Sequence, residues 1–211
     1  MLSFSEALAR CPLVAILRGI APGDAEAVGA TLADAGFSII EVPMNSPRPL
    51  DSIERLARRF GSDLLIGAGT VMGADAVADV AAAGGRLIVS PHFDAAVVGA
   101  TRARGLVSLP GVATPSEGFA ALAAGADGLK LFPAEMLPPA IVRAWRAVFA
   151  AEVPLVPTGG ITPDTMGGYW SAGVAGFGLG SALYKASFPL DDIRRRADSF
   201  MAALAALPPR P

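Results

Sequence analysis

Lys130 is one of only two lysines in the chain, Lys185 being the other, and arginine supplies the remaining positive charge. It stands in the apolar run Gly128-Leu129-Lys130-Leu131-Phe132-Pro133. Desolvation disfavours the ammonium form, lowers the pKa and makes the amine a nucleophile able to form a Schiff base with a ketone. The competing reading is a lysine buried in an ion pair or one whose head reaches solvent. Glu41 poses the matching question within Ile39-Ile40-Glu41-Val42-Pro43. An acid so placed serves proton transfer, or closes a salt bridge to Arg18 or Lys130. A third signal is glycine: Thr158-Gly159-Gly160-Ile161 precedes a Thr162-Pro163 helix start, and Gly176-Phe177-Gly178-Leu179-Gly180-Ser181 ends an apolar run. Glycines let backbone N–H groups approach an anion, and a helix N-terminus adds a favourable dipole, so these turns point to phosphate.

The elements that must carry these residues alternate. Short apolar runs predict strands at Leu13–Leu17, Ile39–Val42, Leu64–Gly67, Leu87–Val89, Leu106–Leu109, Gly128–Phe132, Val153–Pro157 and Ala175–Leu179. Ala-rich segments predict helices at Pro22–Ala35, Pro47–Phe60, Gly73–Ala83, Asp94–Arg104, Pro115–Ala124, Pro138–Phe149, Pro163–Ser171 and Leu190–Leu207. Proline opens and glycine follows several of these helices: Pro22 with Gly36, Pro47 with Gly61, Pro115 with Gly125, Pro163 with Gly173. No linker or composition shift divides residues 1–211, so the expectation is one domain, a (β/α)8 barrel with a short N-terminal helix. A doubly wound open sheet is the alternative, but no GxGxxG fingerprint opens the first unit. In a barrel, chemistry sits at the C-terminal strand ends. That places Arg18-Gly19, Glu41, Gly67-Ala68-Gly69-Thr70 and Lys130 at one mouth, with the glycine turns after the last two strands.

Composition bounds the function. A formal charge of −2 and 53% hydrophobic content argue for a large core and against a nucleic-acid surface. The only tight basic cluster, Arg194-Arg195-Arg196, reads as a solvated helix face. The single cysteine, Cys11, cannot form an internal disulfide and reads as packing, which fits a reducing cytoplasm. Glu6 stands among the first residues where a secretory leader would be basic, and none is expected. The uncharged stretch from Thr165 to Tyr184 is broken by glycines and serines, and reads as helix end, strand and turn, not a membrane span. His92, the only histidine, reads as a solvent-exposed or helix-capping residue or as a substrate contact, and a lone histidine does not make a metal site. Trp145 and Trp170 fall on expected helices and read as outer-shell packing or subunit contact. Glu135 follows the Lys130 strand, but its direction cannot be read from sequence.

With these residues in place the chain resembles the Schiff-base aldolases that cleave 2-keto-3-deoxy-6-phosphosugar acids, the KDPG/KHG class I family. The matching segments are Val14-Ala15-Ile16-Leu17-Arg18-Gly19-Ile20, Glu41-Val42-Pro43-Met44-Asn45-Ser46-Pro47, Ile66-Gly67-Ala68-Gly69-Thr70-Val71, Val89-Ser90-Pro91, Leu129-Lys130-Leu131-Phe132-Pro133-Ala134 and Thr158-Gly159-Gly160-Ile161. The resemblance implies Lys130 as the Schiff-base lysine and Glu41 as the general acid/base. It implies Thr70 and the Gly69 backbone at the pyruvate carboxylate, Arg18 as a carboxylate or phosphosugar contact, and Phe132 as an aromatic wall. Gly159, Gly160, Gly180 and Ser181 match the phosphate turns. It further implies no cofactor or metal, a homotrimer, and as partners a phosphosugar acid, pyruvate and glyceraldehyde 3-phosphate. Asn45, in Pro-Met-Asn-Ser-Pro, resembles the galactonate-series branch, whereas Thr158 resembles the gluconate series. The galactonate epimer is the expected substrate, with use of both C4 epimers left open. Two other classes remain: a sugar-phosphate isomerase or epimerase that forms no pyruvate, and a silent phosphometabolite-binding protein.

Overall fold

The computed structural model describes residues 2–209. A short helix, α1 (Phe4–Arg10), comes first. It opens on a capping box in which Ser3 Oγ accepts from the Glu6 N–H and the Glu6 carboxylate accepts from the Ser3 N–H. Strands and helices then alternate: β1 (Leu13–Ile16), α2 (Pro22–Asp34), β2 (Ile39–Pro43), α3 (Pro49–Phe60), β3 (Leu65–Gly69), α4 (Asp75–Ala82), β4 (Leu87–Val89), α5 (Ala95–Ala103) and β5 (Val107–Leu109). The second half runs β6 (Gly111–Val112), α6 (Pro115–Ala123), β7 (Leu129–Leu131), α7 (Pro139–Arg146), β8 (Leu155–Pro157), α8 (Pro163–Ser171), β9 (Phe177–Leu179) and α9 (Leu190–Ala205).

Every strand pairing is parallel, in a curled arrangement of two sheets ordered β5-β4-β3-β2-β1-β9 and β6-β7-β8. A parallel bridge between Thr158 and Gly178 joins the end of β8 to β9. The fifth expected strand, Leu106–Leu109, corresponds to β5, and a further short strand, β6, follows it that the sequence reading did not include. Pro110 lacks an N–H and interrupts the ladder, so β5 pairs with β4 while β6, beyond the proline, pairs with β7.

Because side chains alternate across a strand, two apolar layers form. Leu13, Ala15, Ile40, Ile66, Ile88, Leu129, Leu131, Leu155 and Phe177 join the layer beneath the helices. Val14, Ile39, Leu65, Leu87, Leu109 and Val156 form a second cluster on the opposite face, together with Phe4, Ala7 and Leu8 of α1. The residues that α1 joins lie mostly in the first halves of their strands, so α1 covers the N-terminal end of that interior. The other end is left to polar groups.

Some boundaries differ from expectation for local reasons. Helix α3 begins at Pro49, not Pro47, because Arg48 adopts a left-handed conformation, φ 42°, and breaks the run. Gly36, Gly125 and Gly173 have positive φ, as glycines after helices do, but Gly61 stays right-handed at φ −65°. Helix α7 stops at Arg146, and a 3-10 turn, Ala134–Met136, follows β7. Trp145, Trp170 and Cys11 are buried in the core. Arg194 pairs with Asp198 and Arg195 with Asp192 on the outer face of α9. Among the described residues no helix is long and apolar enough to cross a membrane.

Candidate active site

Glu41 occupies the middle of β2, in register with Ile16 on β1 and Gly67 on β3. Its side chain shares the inward direction of Ile39, two residues earlier. Only 1% of its surface is exposed, and its Oε2 has no hydrogen-bond partner among the described residues. Room for the carboxylate comes from Gly69 on β3: a Cβ at that position would collide with both carboxylate oxygens. Gly69 was read from sequence as backbone for an anion, and its missing side chain is what lets an acid fit in the strand layer.

Lys130 lies in the middle of β7, flanked in register by Gly111 and Val156, and is 5% exposed. Its neighbours Leu129 and Leu131 point to the helices, so the period of two turns the amine inward. Nζ lies 4.7 Å from the centroid of the Phe132 ring. Burial pushes the Lys130 pKa down; the Glu41 charge opposes that shift and the Arg18 charge adds to it. Burial likewise pushes Glu41 up to about 7, against the pull of Lys130 and Arg18. The site therefore holds an amine biased toward its neutral, nucleophilic form. Beside it is a carboxyl able to take up or release a proton near neutrality.

A cavity of about 520 Å³ opens over the lysine. Eight of the residues singled out in the sequence line it: Arg18, Lys130, Phe132, Thr158, Gly159, Gly160, Gly180 and Ser181. Gly159 and Gly160, both on the cavity wall, adopt φ of 109° and 61°, conformations that favour glycine. Ile161 and Thr162 continue the wall into the N-terminus of α8, where Thr165 Oγ1 accepts a 2.9 Å hydrogen bond from the Thr162 N–H. Thr158 is buried and projects its hydroxyl over Gly178, where a Cβ would collide with it. Glu41, Gly69 and Thr70 stand off the cavity wall. Thr70, left-handed at φ 55°, accepts a 3.4 Å hydrogen bond from Arg18 Nη2 and so reaches the cavity through the arginine.

Two further charged residues line the cavity. Glu135, on the 3-10 turn, packs its carboxyl against the Gly159-Gly160 turn. Lys185, in the segment after β9, has Nζ 5.4 Å from the Phe188 ring centroid. The rarity of lysine was a signal for Lys185; nothing in the sequence gave the direction of Glu135. His92 does not line the cavity, and the cap of α5 is Asp94, which accepts from the N–H groups of Ala96 and Val97. Among the described residues no three His, Cys, Asp or Glu side chains converge as a metal site.

A parallel α/β fold with a desolvated lysine on a cavity wall and a near-neutral carboxyl behind it, close enough for the two charges to interact, is the setting of a carbon–carbon lyase. The family model for KDPG and KHG aldolase matches residues 4–195, and the chain belongs to that family. A probable 2-dehydro-3-deoxy-6-phosphogalactonate aldolase of Rhizobium meliloti (strain 1021) is 44% identical over 196 residues, covering 93% of this chain and 92% of that protein. The solved native KDPGal structure superposes with a TM-score of 0.91 at 39% identity, over 93% of this chain and 95% of that one. A KDPG aldolase from Legionella pneumophila, solved with pyruvate captured at low pH as a covalent carbinolamine intermediate, superposes with a TM-score of 0.80 at 28% identity, over 97% and 98% of the two chains.

Proposed function

We propose that this chain is a class I aldolase that reversibly cleaves 2-dehydro-3-deoxy-6-phosphogalactonate to pyruvate and D-glyceraldehyde 3-phosphate, acting as a cytoplasmic homotrimer without a metal or cofactor. The observation that carries this reading is Lys130, nearly buried, at the base of a cavity whose other wall is the Gly159-Gly160 turn. The fold is read as one domain over residues 1–211, a closed (β/α)8 barrel. In that barrel β5 and β6 are one strand split at Pro110, and the Thr158–Gly178 bridge closes the ring.

Neutral Lys130 attacks the C2 ketone to give a carbinolamine, which loses water to form an iminium. Glu41, directly or through water, takes the C4 hydroxyl proton. The C3–C4 bond then breaks, its electron pair passes to the iminium as an enamine, and the aldehyde leaves. Glu41 returns the proton to C3, and hydrolysis releases pyruvate and the free amine. Thr70 and the Gly69 backbone hold the carboxylate end with Arg18, and Phe132 walls the imine. Thr158, Gly159, Gly160, Gly180 and Ser181 hold the phosphate end, so binding energy far from the reacting bond orients it. The carbinolamine captured in the Legionella pneumophila relative supports the first step.

Thr158 in the cavity favours a second reading, the gluconate epimer or both epimers. Pyruvate release from each purified C4 epimer tests the choice. The proposal expects a higher kcat/KM on the galactonate epimer and loss of pyruvate release with Lys130→Met. Cleavage confined to the gluconate epimer would replace it with the second reading.

A further inference from the structure

Arg18, just beyond β1, lines the cavity as an exposed side chain, and among the described residues its guanidinium makes no salt bridge to a carboxylate. Its position is set instead by neutral acceptors. Nη1 donates to Asn45 Oδ1 at 2.7 Å, and Nη2 donates the longer 3.4 Å bond to Thr70 Oγ1. The same two loops are tied again one residue on, where the Gly19 N–H donates to the buried Ser46 Oγ at 2.9 Å. Asn45 thus lies outside the cavity wall but holds the group that enters it.

We infer that Asn45 is a positioning residue, which holds the Arg18 guanidinium over the lysine end of the cavity so that its charge meets the anionic substrate there. A neutral acceptor suits this task. A carboxylate at the same place would hold the guanidinium as firmly but cancel the charge offered to an acid substrate, whereas an amide oxygen fixes direction and leaves the charge available. Thr70 adds a second, weaker restraint from β3, and its left-handed backbone is the kind of local strain that surrounding structure must hold in place. Arg18 influences the ionisation of both Glu41 and Lys130, which places its charge within reach of the reacting groups. With Asn45 removed, the arginine is free to swing toward solvent. The site then loses both an anion contact and a charge that favours neutral Lys130.

The inference rests on the aldolase reading, and a double-mutant cycle separates the two. Asn45→Ala is expected to lower kcat/KM for cleavage about 10-fold, the scale of one hydrogen bond to a charged group. It should also move the pH limb governed by Lys130 to higher pH, because a positive neighbour has receded. In an Arg18→Ala background the same Asn45→Ala change is expected to have no further effect on either quantity. An equal loss in both backgrounds would overturn the inference, since Asn45 would then act independently of Arg18. Borohydride trapping of pyruvate on the wild-type protein tests the aldolase reading separately. An adduct combined with additive mutants defeats the positioning role alone, and the absence of any adduct defeats the chemistry on which that role depends.

Discussion

At the residue scale, the fold disturbs the ordinary ionisation of two buried groups, Glu41 and Lys130. An unperturbed glutamate titrates near 4.5, and burial carries Glu41 to about 7. Between those pH values the folded protein keeps a proton that the unfolded chain has released, so this group lowers stability as pH rises through the window. Lys130 acts in the opposite sense. Its folded pKa is depressed below 10.5, so the unfolded chain binds the extra proton and stability from this group rises with pH toward that value. Glu41→Gln should therefore be more stable than the wild type at pH 8, by on the order of a few kcal/mol, and should lose most of that advantage at pH 5. Urea unfolding at the two pH values measures this, and an equal offset at both would remove the titration from the explanation. The same substitution should lower kcat by about 100-fold or more, as the loss of a general acid/base does. Lys130 and Glu41 were legible in the sequence because charges are rare inside apolar strands. Glu135 was not, because one turn of 3-10 helix decides where its carboxyl points.

At the scale of elements, strand periodicity explains why the site forms where it does. The inward face of β2 reads Ile39 then Glu41, that of β3 Leu65, Gly67 and Gly69, and the polar or small residue always lies toward the C-terminal end. Gly69 and Glu41 are a spatial pair: one supplies the volume that the other occupies. Gly69→Ala should destabilise the protein by about 1–3 kcal/mol and lower kcat, since the carboxyl must shift to admit a methyl group. Thermal unfolding together with turnover reads both effects, and an unchanged kcat would show that Glu41 need not be held there. Helix positions followed from proline and glycine punctuation, but their first turns did not. Pro47 and Pro49 are equally good openers, and the left-handed Arg48 between them selects the second. The split of the fifth strand turned on Pro110, whose missing N–H breaks a ladder that apolar content alone could not resolve.

At the scale of the whole molecule, the two ends of the sheet interior have separate tasks. Helix α1 packs Phe4, Ala7 and Leu8 into the N-terminal end, and the catalytic candidates occupy the other. Phe4→Ala should cost about 3 kcal/mol of stability while leaving kcat within a few-fold of wild type, because the cavity it creates lies away from Lys130. Denaturant unfolding paired with turnover measures the division, and a large loss of kcat in the folded variant would contradict it. The proposed trimer predicts a solution mass three times the 21.4 kDa of one chain by sedimentation equilibrium, and a monomer would refute it. Alternating strands and helices made the α/β class legible from sequence. The way the strands join did not follow from it, because pairing order is set by contacts between distant segments, such as β1 with β9.

The central claim is that Lys130 forms an imine with the substrate ketone. Incubation with pyruvate and sodium borohydride, followed by peptide mass spectrometry, tests it most directly. A reduced pyruvyl adduct is expected on Lys130 and none on Lys185. A folded protein that remains unmodified at Lys130 would contradict it.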